Sequence, residues 1–184
     1  MKWILNRDYN VTIRQEVKQM VMGDNAYTLA DAEATAIEIA SGYLRGKYDT
    51  VAIFFDIPLN KTLADEGGTL AINTICRDAN DTIYKALVAD ANPLQLTDTD
   101  QWQATDPRNK AMLLAVCNIA LYLMHSNLAP RNIPDLMVKN FDDAMSYLKA
   151  IQKESIVPNL PLLSSDVVST TFTLSGNTKT TEKW

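Results

Sequence analysis

The chain has 184 residues, 47% of them hydrophobic and 21% charged, the size and make-up of one globular domain with a core of its own. Seventeen Lys and Arg against 22 Asp and Glu leave a net charge of −5, which argues against nucleic acid as a main binding partner because phosphate binding needs a positive field. One histidine, His125, and two cysteines, Cys76 and Cys117, exclude paired-histidine metal sites and a disulfide framework. The first eight residues hold no apolar run of signal-peptide type. The longest apolar stretch, 111–124, has 14 residues, short of the ~20 that a membrane span needs. The expectation is a soluble protein made in a reducing cytoplasm, with no membrane partner.

In chain order, a first helix is expected over 12–23, where Ile13, Val17, Met20 and Val21 share a face and Gly23 ends it. A second runs from Thr28 to Gly46, with Asp31 in its first turn and a stripe of Leu29, Ala32, Ala36, Ile39, Ala40, Tyr43 and Leu44. The segment 48–101 departs from this plan. It holds the β-branched and aromatic run 51–55, the pair Gly67-Gly68, a possible helix over 74–89 with Ile75, Ile83, Leu87 and Val88 on one side, a break at Asn92-Pro93 and an acidic loop at 97–100. A third helix is expected over 107–127, with Asp106 as its cap and Pro107 in its first turn. It has no charged residue between Lys110 and Arg131, so it reads as a central rod surrounded by other helices. A fourth follows from 132–134 to 153, with Met137, Phe141, Ala144, Met145, Leu148 and Ile151 at spacings of three and four. The short connection makes helices three and four an antiparallel hairpin. From Pro158 the composition changes: 10 of 27 residues are Ser or Thr, with Val167, Val168 and Phe172 spaced as a short strand.

Most catalytic constellations fail on inspection of the sequence. Gly67-Gly68 lacks the lysine and helix of a phosphate loop, and Cys117 reads as a buried thiol on an apolar helix. His125 reads as a helix-end imidazole rather than a general base, since no partner is fixed near it. Asp98 and Asp100 read as a solvated loop rather than a cation site, and Asp142-Asp143 as a solvent or interface face. Arg108, beside Asp106, has two readings of equal weight, a salt bridge between subunits or a fixture of the helix start. Trp3, Trp102 and Trp184 lie outside the expected helices, so each docks either within the chain or on a neighbour. The inventory predicts no enzyme, no metal and no cofactor; a small enzyme built on His125 and an acidic residue is the weakest alternative.

Five stretches taken together carry a resemblance: 43–49 (YLRGKYD), 105–110 (TDPRNK), 118–126 (NIALYLMHS), 129–134 (APRNIP) and 141–148 (FDDAMSYL). Their order and spacing resemble the Mu-type head–tail connector (adaptor) proteins of tailed phages, particularly those of phages and prophages of Bacteroidetes hosts. The resemblance covers Thr28 to about Pro161, apart from about 45 residues near 56–101 that look like an insertion. The tail also looks longer than a minimal member would carry.

The resemblance implies a mainly α fold, a small antiparallel helical bundle in one connector domain, 1–157; as departures from the family, the expectation adds a mixed or irregular insertion at 56–101 and an extended tail, 158–184, that forms a β-strand. It implies a structural virion protein at the head–tail junction, present in host cytoplasm during assembly. Such a subunit forms a ring, taken as a dodecamer, on the portal protein, extends the DNA channel without binding DNA specifically, and docks the next neck or tail component. The interface candidates are Trp3, Trp102, Asp106, Arg108 and Arg131 in the body and Val167, Val168, Phe172 and Trp184 in the tail. The alternative is a cytoplasmic helical adaptor or regulatory module with no virion role.

Overall fold

The computed structural model describes residues 2–11, 29–66, 70–128 and 133–164. The expected first helix, 12–23, Arg131, and the tail residues Val167, Val168, Phe172 and Trp184 lie outside them. A 3-10 turn, Asn6–Val11, comes first, followed by α1 (Leu29–Leu44), α2 (Thr50–Ile53) and α3 (Asn60–Glu66). Three strands, β1 (Ile75–Arg77), β2 (Ile83–Ala86) and β3 (Trp102–Ala104), precede α4 (Lys110–Leu128) and α5 (Asp135–Gln152). The fold is therefore mixed, helices plus a small antiparallel sheet in the order β1-β2-β3, rather than mainly helical.

Helix α1 buries Ala32, Ala36, Ala40 and Leu44, one residue per turn on a single face. Three of these are alanines, so the neighbouring helix approaches closely. The helix ends at Gly46, whose φ of +104° suits a residue without a Cβ. The run 51–55 opens as a helical turn rather than an extended segment, because the Asp49 carboxylate accepts the N–H groups of Val51 and Ala52 at 3.0 Å each.

The expected helix over 74–89 is instead the β1–β2 hairpin, with Cys76 opposite Tyr84 and Arg77 opposite Ile83. The cause lies in the turn. Asp78 Oδ1 accepts from the N–H groups of Asn80 and Thr82, both at 2.8 Å, and Asp81 takes a positive φ of 62°. Local carboxylate-to-backbone bonds of this kind compete with helix and favour turns. The acidic loop is built the same way: Asp98 accepts from the Asp100 N–H at 3.0 Å and from Gln101 Nε2 at 2.7 Å. The segment expected to be irregular thus has its own small cluster of Cys76, Ala86, Ala91 and Trp102.

Helix α4 starts three residues later than expected. Its cap is Asn109, whose Oδ1 accepts the Met112 N–H at 3.0 Å and whose carbonyl accepts the Leu113 N–H at 2.9 Å, which leaves Asp106 free of that duty. The helix buries Met112, Ala115, Val116, Cys117, Ile119, Ala120, Leu121 and Met124, yet Ala111 and Leu114 are exposed, so the rod is not covered all round. It packs on α1 and α5. Tyr122 stacks on Phe141 with centroids 4.1 Å apart. Each ring stands six residues from the facing helix ends at 128 and 135, so α4 and α5 run antiparallel alongside one another. After α5, residues 158–164 lie along the body rather than apart from it: Leu162 bridges Tyr48, and Asp49 N–H and Leu163 N–H donate to the Pro161 and Lys47 carbonyls at 3.0 Å each.

Candidate functional site: a buried arginine junction

The densest polar arrangement lies where the 2–11 segment meets the approach to α4. Arg108 is fully enclosed, its side chain 0% exposed, against 5% for Asp8 and 26% for Asp106. Its Nη1 donates to the Trp3 carbonyl at 2.7 Å and to Asp8 Oδ2 at 2.6 Å. Nη2 donates to Asp8 Oδ1 at 3.0 Å and Asp106 Oδ2 at 2.7 Å, and Nε to Asp106 Oδ1 at 2.9 Å. A guanidinium has five N–H donors in a fixed fork, and here all five are taken. The guanidinium carbon also lies 5.9 Å from the centroid of the Trp3 ring.

Two carboxylates around one guanidinium leave a negative charge, which Arg7 partly balances from 3.4 Å off Asp106. Burial opposes the charge on Arg108, but its hydrogen bonds to Asp106 and Asp8 outweigh that and hold its pKa above the usual arginine value. Burial likewise works to raise Asp106, yet the hydrogen bonds from Arg108 hold it below the usual aspartate value. The network is saturated, so its chemistry is that of a structural clamp with no donor left over for a ligand.

Two smaller networks tie down the same segment. Tyr9 Oη donates to Glu33 Oε1 at 2.9 Å, Lys2 Nζ lies 3.7 Å from Glu33, and burial, then the Glu33 charge, raises the Tyr9 phenol far above its ordinary value. On the sheet side Arg77 Nη1 donates to Asp81 Oδ1 at 2.7 Å and Nε to the Ile57 carbonyl at 3.2 Å, while Asp81 Oδ2 accepts the Asn6 N–H at 3.1 Å.

Three of the interface candidates lie enclosed within this chain. Trp3, Trp102 and Arg108 are 1%, 2% and 5% exposed and act inside the chain: Trp3 packs edge-on to Phe54 at 4.9 Å, and Trp102 Nε1 donates to the Asn92 carbonyl at 2.9 Å. Within this chain Arg108 pairs with Asp106 and also with Asp8, which sequence reasoning had not singled out, while the helix start itself is capped by Asn109. Asp106 keeps a partly exposed edge. His125 is half-buried on α4, and among the described residues its Nδ1 has no hydrogen-bond partner. Ser126 and Asn127, not His125, bond the Leu123 carbonyl, at 2.9 and 3.0 Å. Cys117 is buried, and burial, then Asp78, pushes the Cys76 thiol up to about 11. Asp142 and Asp143 are exposed.

A shallow cleft of about 340 Å³ between α3 and the 90–94 loop, lined by Leu63, Leu70, Ala91, Pro93 and Leu94, has Asp90 as its single ionisable group and no convergent polar set. Among the described residues no three His, Cys, Asp or Glu side chains gather to hold a metal, and no helix is long and apolar enough to cross a membrane. Comparison with family models, with curated proteins and with solved structures yields no match to this chain.

Proposed function

We propose that the chain is a structural subunit of a tailed-phage head–tail connector of the Mu type. It forms a ring, taken as a dodecamer, on the portal of a filled head, extends the DNA channel and presents a docking surface to the next neck or tail component. The observation that carries this reading is where the resembling stretches fall. Leu44 and Tyr48 from the first, Ile119, Ala120, Leu121 and Met124 from the third, and Ala144 and Leu148 from the fifth share one buried cluster, and the second supplies Arg108 to the clamp beneath it. Within the gap in the resemblance, 56–101, Cys76, Ala86 and Ala91 form a second cluster with Trp102, and Ile57 and Ile83 a third with Leu5. A shared core with an added segment packed outside it is how a family body carrying an insertion is built.

In this reading α1, α4 and α5 are the antiparallel bundle, residues 167–174 add as a strand to a neighbour, and Trp184 anchors there. The protein works in the virion, after assembly in host cytoplasm, without catalysis or cofactor. A net charge of −5 lets DNA pass without adhering; tight, salt-dependent binding of DNA by the isolated protein would count against that part. The decisive experiment mixes the full chain with the portal protein of the same phage and measures mass and ring symmetry by native mass spectrometry and cryo-EM. A symmetric ring on the portal is expected. A chain that stays monomeric beside the portal favours the alternative, a cytoplasmic helical adaptor with no virion role.

A further inference from the structure

We infer that the outer edge of β3 is the acceptor for residues 167–174 of a neighbouring copy, an assignment that rests on the ring reading above. The hydrogen-bond pattern of the sheet singles out this edge. Thr105 N–H donates to the Ile83 carbonyl at 3.0 Å and Leu87 N–H to the Gln101 carbonyl at 2.8 Å, so the odd-numbered residues of this stretch face β2. Trp102 and Ala104, opposite Ala86 and Tyr84, therefore direct their own backbone groups outward. The Trp102 N–H is taken by the Asp98 carbonyl at 2.8 Å. Among the described residues the Trp102 carbonyl and both backbone groups of Ala104 have no hydrogen-bond partner, and Gln103 and Ala104 are exposed. The opposite edge is closed: Arg77 N–H donates to the Pro58 carbonyl at 2.9 Å, and Leu59 bridges Arg77. Among the described residues one edge of this sheet is covered and one is open.

The occupant is argued from the chain itself. Twenty residues follow Ser164, enough to leave the body and reach an adjacent copy. Within them, 167–174 reads VVSTTFTL, free of charge, Pro and Gly, the composition of a strand. In a strand, Val168, Thr170, Phe172 and Leu174 would fall on one face. On the sheet, the row Cys76–Tyr84–Ala104 runs from buried through half-buried to exposed. A large apolar side chain placed beyond Ala104 extends that row and covers Tyr84, which the small methyl of Ala104 does not.

Ala104→Pro is the test, because its N–H points away from β2 and its loss breaks no existing ladder bond. Full-length wild type and Ala104→Pro are compared on the portal by native mass spectrometry, with circular dichroism as the check on fold and Phe172→Asp as the variant on the donor side. Expected is an unchanged fold with self-association weakened about tenfold or more by either substitution. Disulfide trapping between a Gln103→Cys copy and copies carrying cysteine at successive positions from 167 to 174 should give a covalent product joining two chains. Rings that form equally well with Ala104→Pro overturn the acceptor and leave the ring reading intact. Trapping only within a single chain overturns the neighbouring copy as donor. If Ala104→Pro alone disturbs the fold, the Phe172→Asp and trapping results decide. Absence of any wild-type ring overturns the ring reading and this assignment with it.

Discussion

Arg108 shows what a charge does when every donor is answered. Replacing it by Leu leaves Asp8 and Asp106 facing one another without their cation, and breaking a buried pair from one side costs about 3–5 kcal/mol. For a chain of this length Tm should fall by roughly 6–20 °C, with Arg108→Lys only partly restoring it because an ammonium has three donors in place of five; differential scanning calorimetry measures both. Asp106 carries a pH signature. Its carboxyl is held below the usual aspartate value, so its contribution to stability is present above the unfolded value of about 3.9 and is lost as pH falls below that point. Urea midpoints between pH 6 and pH 2.5 should decline more gently in Asp106→Asn than in wild type. The two cysteines should resist iodoacetamide at pH 8 until denaturant is added, since both are buried and the Cys76 thiol is pushed up to about 11.

At the scale of elements, what the sequence disclosed depended on length and cap chemistry. Helices α1 and α5 were legible to within a few residues because their apolar positions recur over four or more turns. The start of α4 was misplaced because Thr105-Asp106-Pro107 has the form of a helix start, whereas the cap is Asn109, three residues on. Asn109→Ala should therefore cost about 1 kcal/mol and Asp106→Ala should act through the clamp instead; paired urea melts in an Arg108→Leu background separate the two, because only the Asp106 effect changes there. The hairpin was misread because Ile75 and Ile83 are eight apart, a spacing that fits one helix face as well as two facing strands. The carboxylate of Asp78 decides between them, and Asp78→Ala should destabilise the sheet, raising amide exchange at Tyr84 and Ala86 before the helices are affected. The strap after α5 adds a further element, docked by its backbone yet leaving Val157 and Leu162 68% and 63% exposed. Aliphatic side chains held out on a fixed backbone are suited to burial against another surface.

Across the whole molecule, residues 2–9 are the joint between helices and sheet. Trp3, Ile4 and Tyr9 enter the helical cluster, and Leu5 enters a second cluster with Ile57 and Ile83. Ile57 N–H donates to the Lys2 carbonyl at 3.1 Å, and the Lys2 N–H meets Asp56. None of this was readable from sequence, since local pattern carries no signal for a contact between positions 8 and 108. The tryptophans were open to either docking mode for the same reason. A chain lacking residues 1–9 should lose the single cooperative transition and expose both clusters, seen as two thermal transitions and binding of a hydrophobic dye.

The separation of 100 residues between Asp8 and Arg108 also sets an order of events during synthesis. At about 5–20 residues per second, the segment bearing Trp3, Ile4, Leu5 and Tyr9 waits on the order of 5–20 s after leaving the ribosome before its arginine follows. The sheet can pair in that interval; the helical body closes later, over a segment made well before it. Stalled chains ending short of α4 should leave Trp3 open to quenchers and proteases, and chains long enough to release Arg108 should shield it.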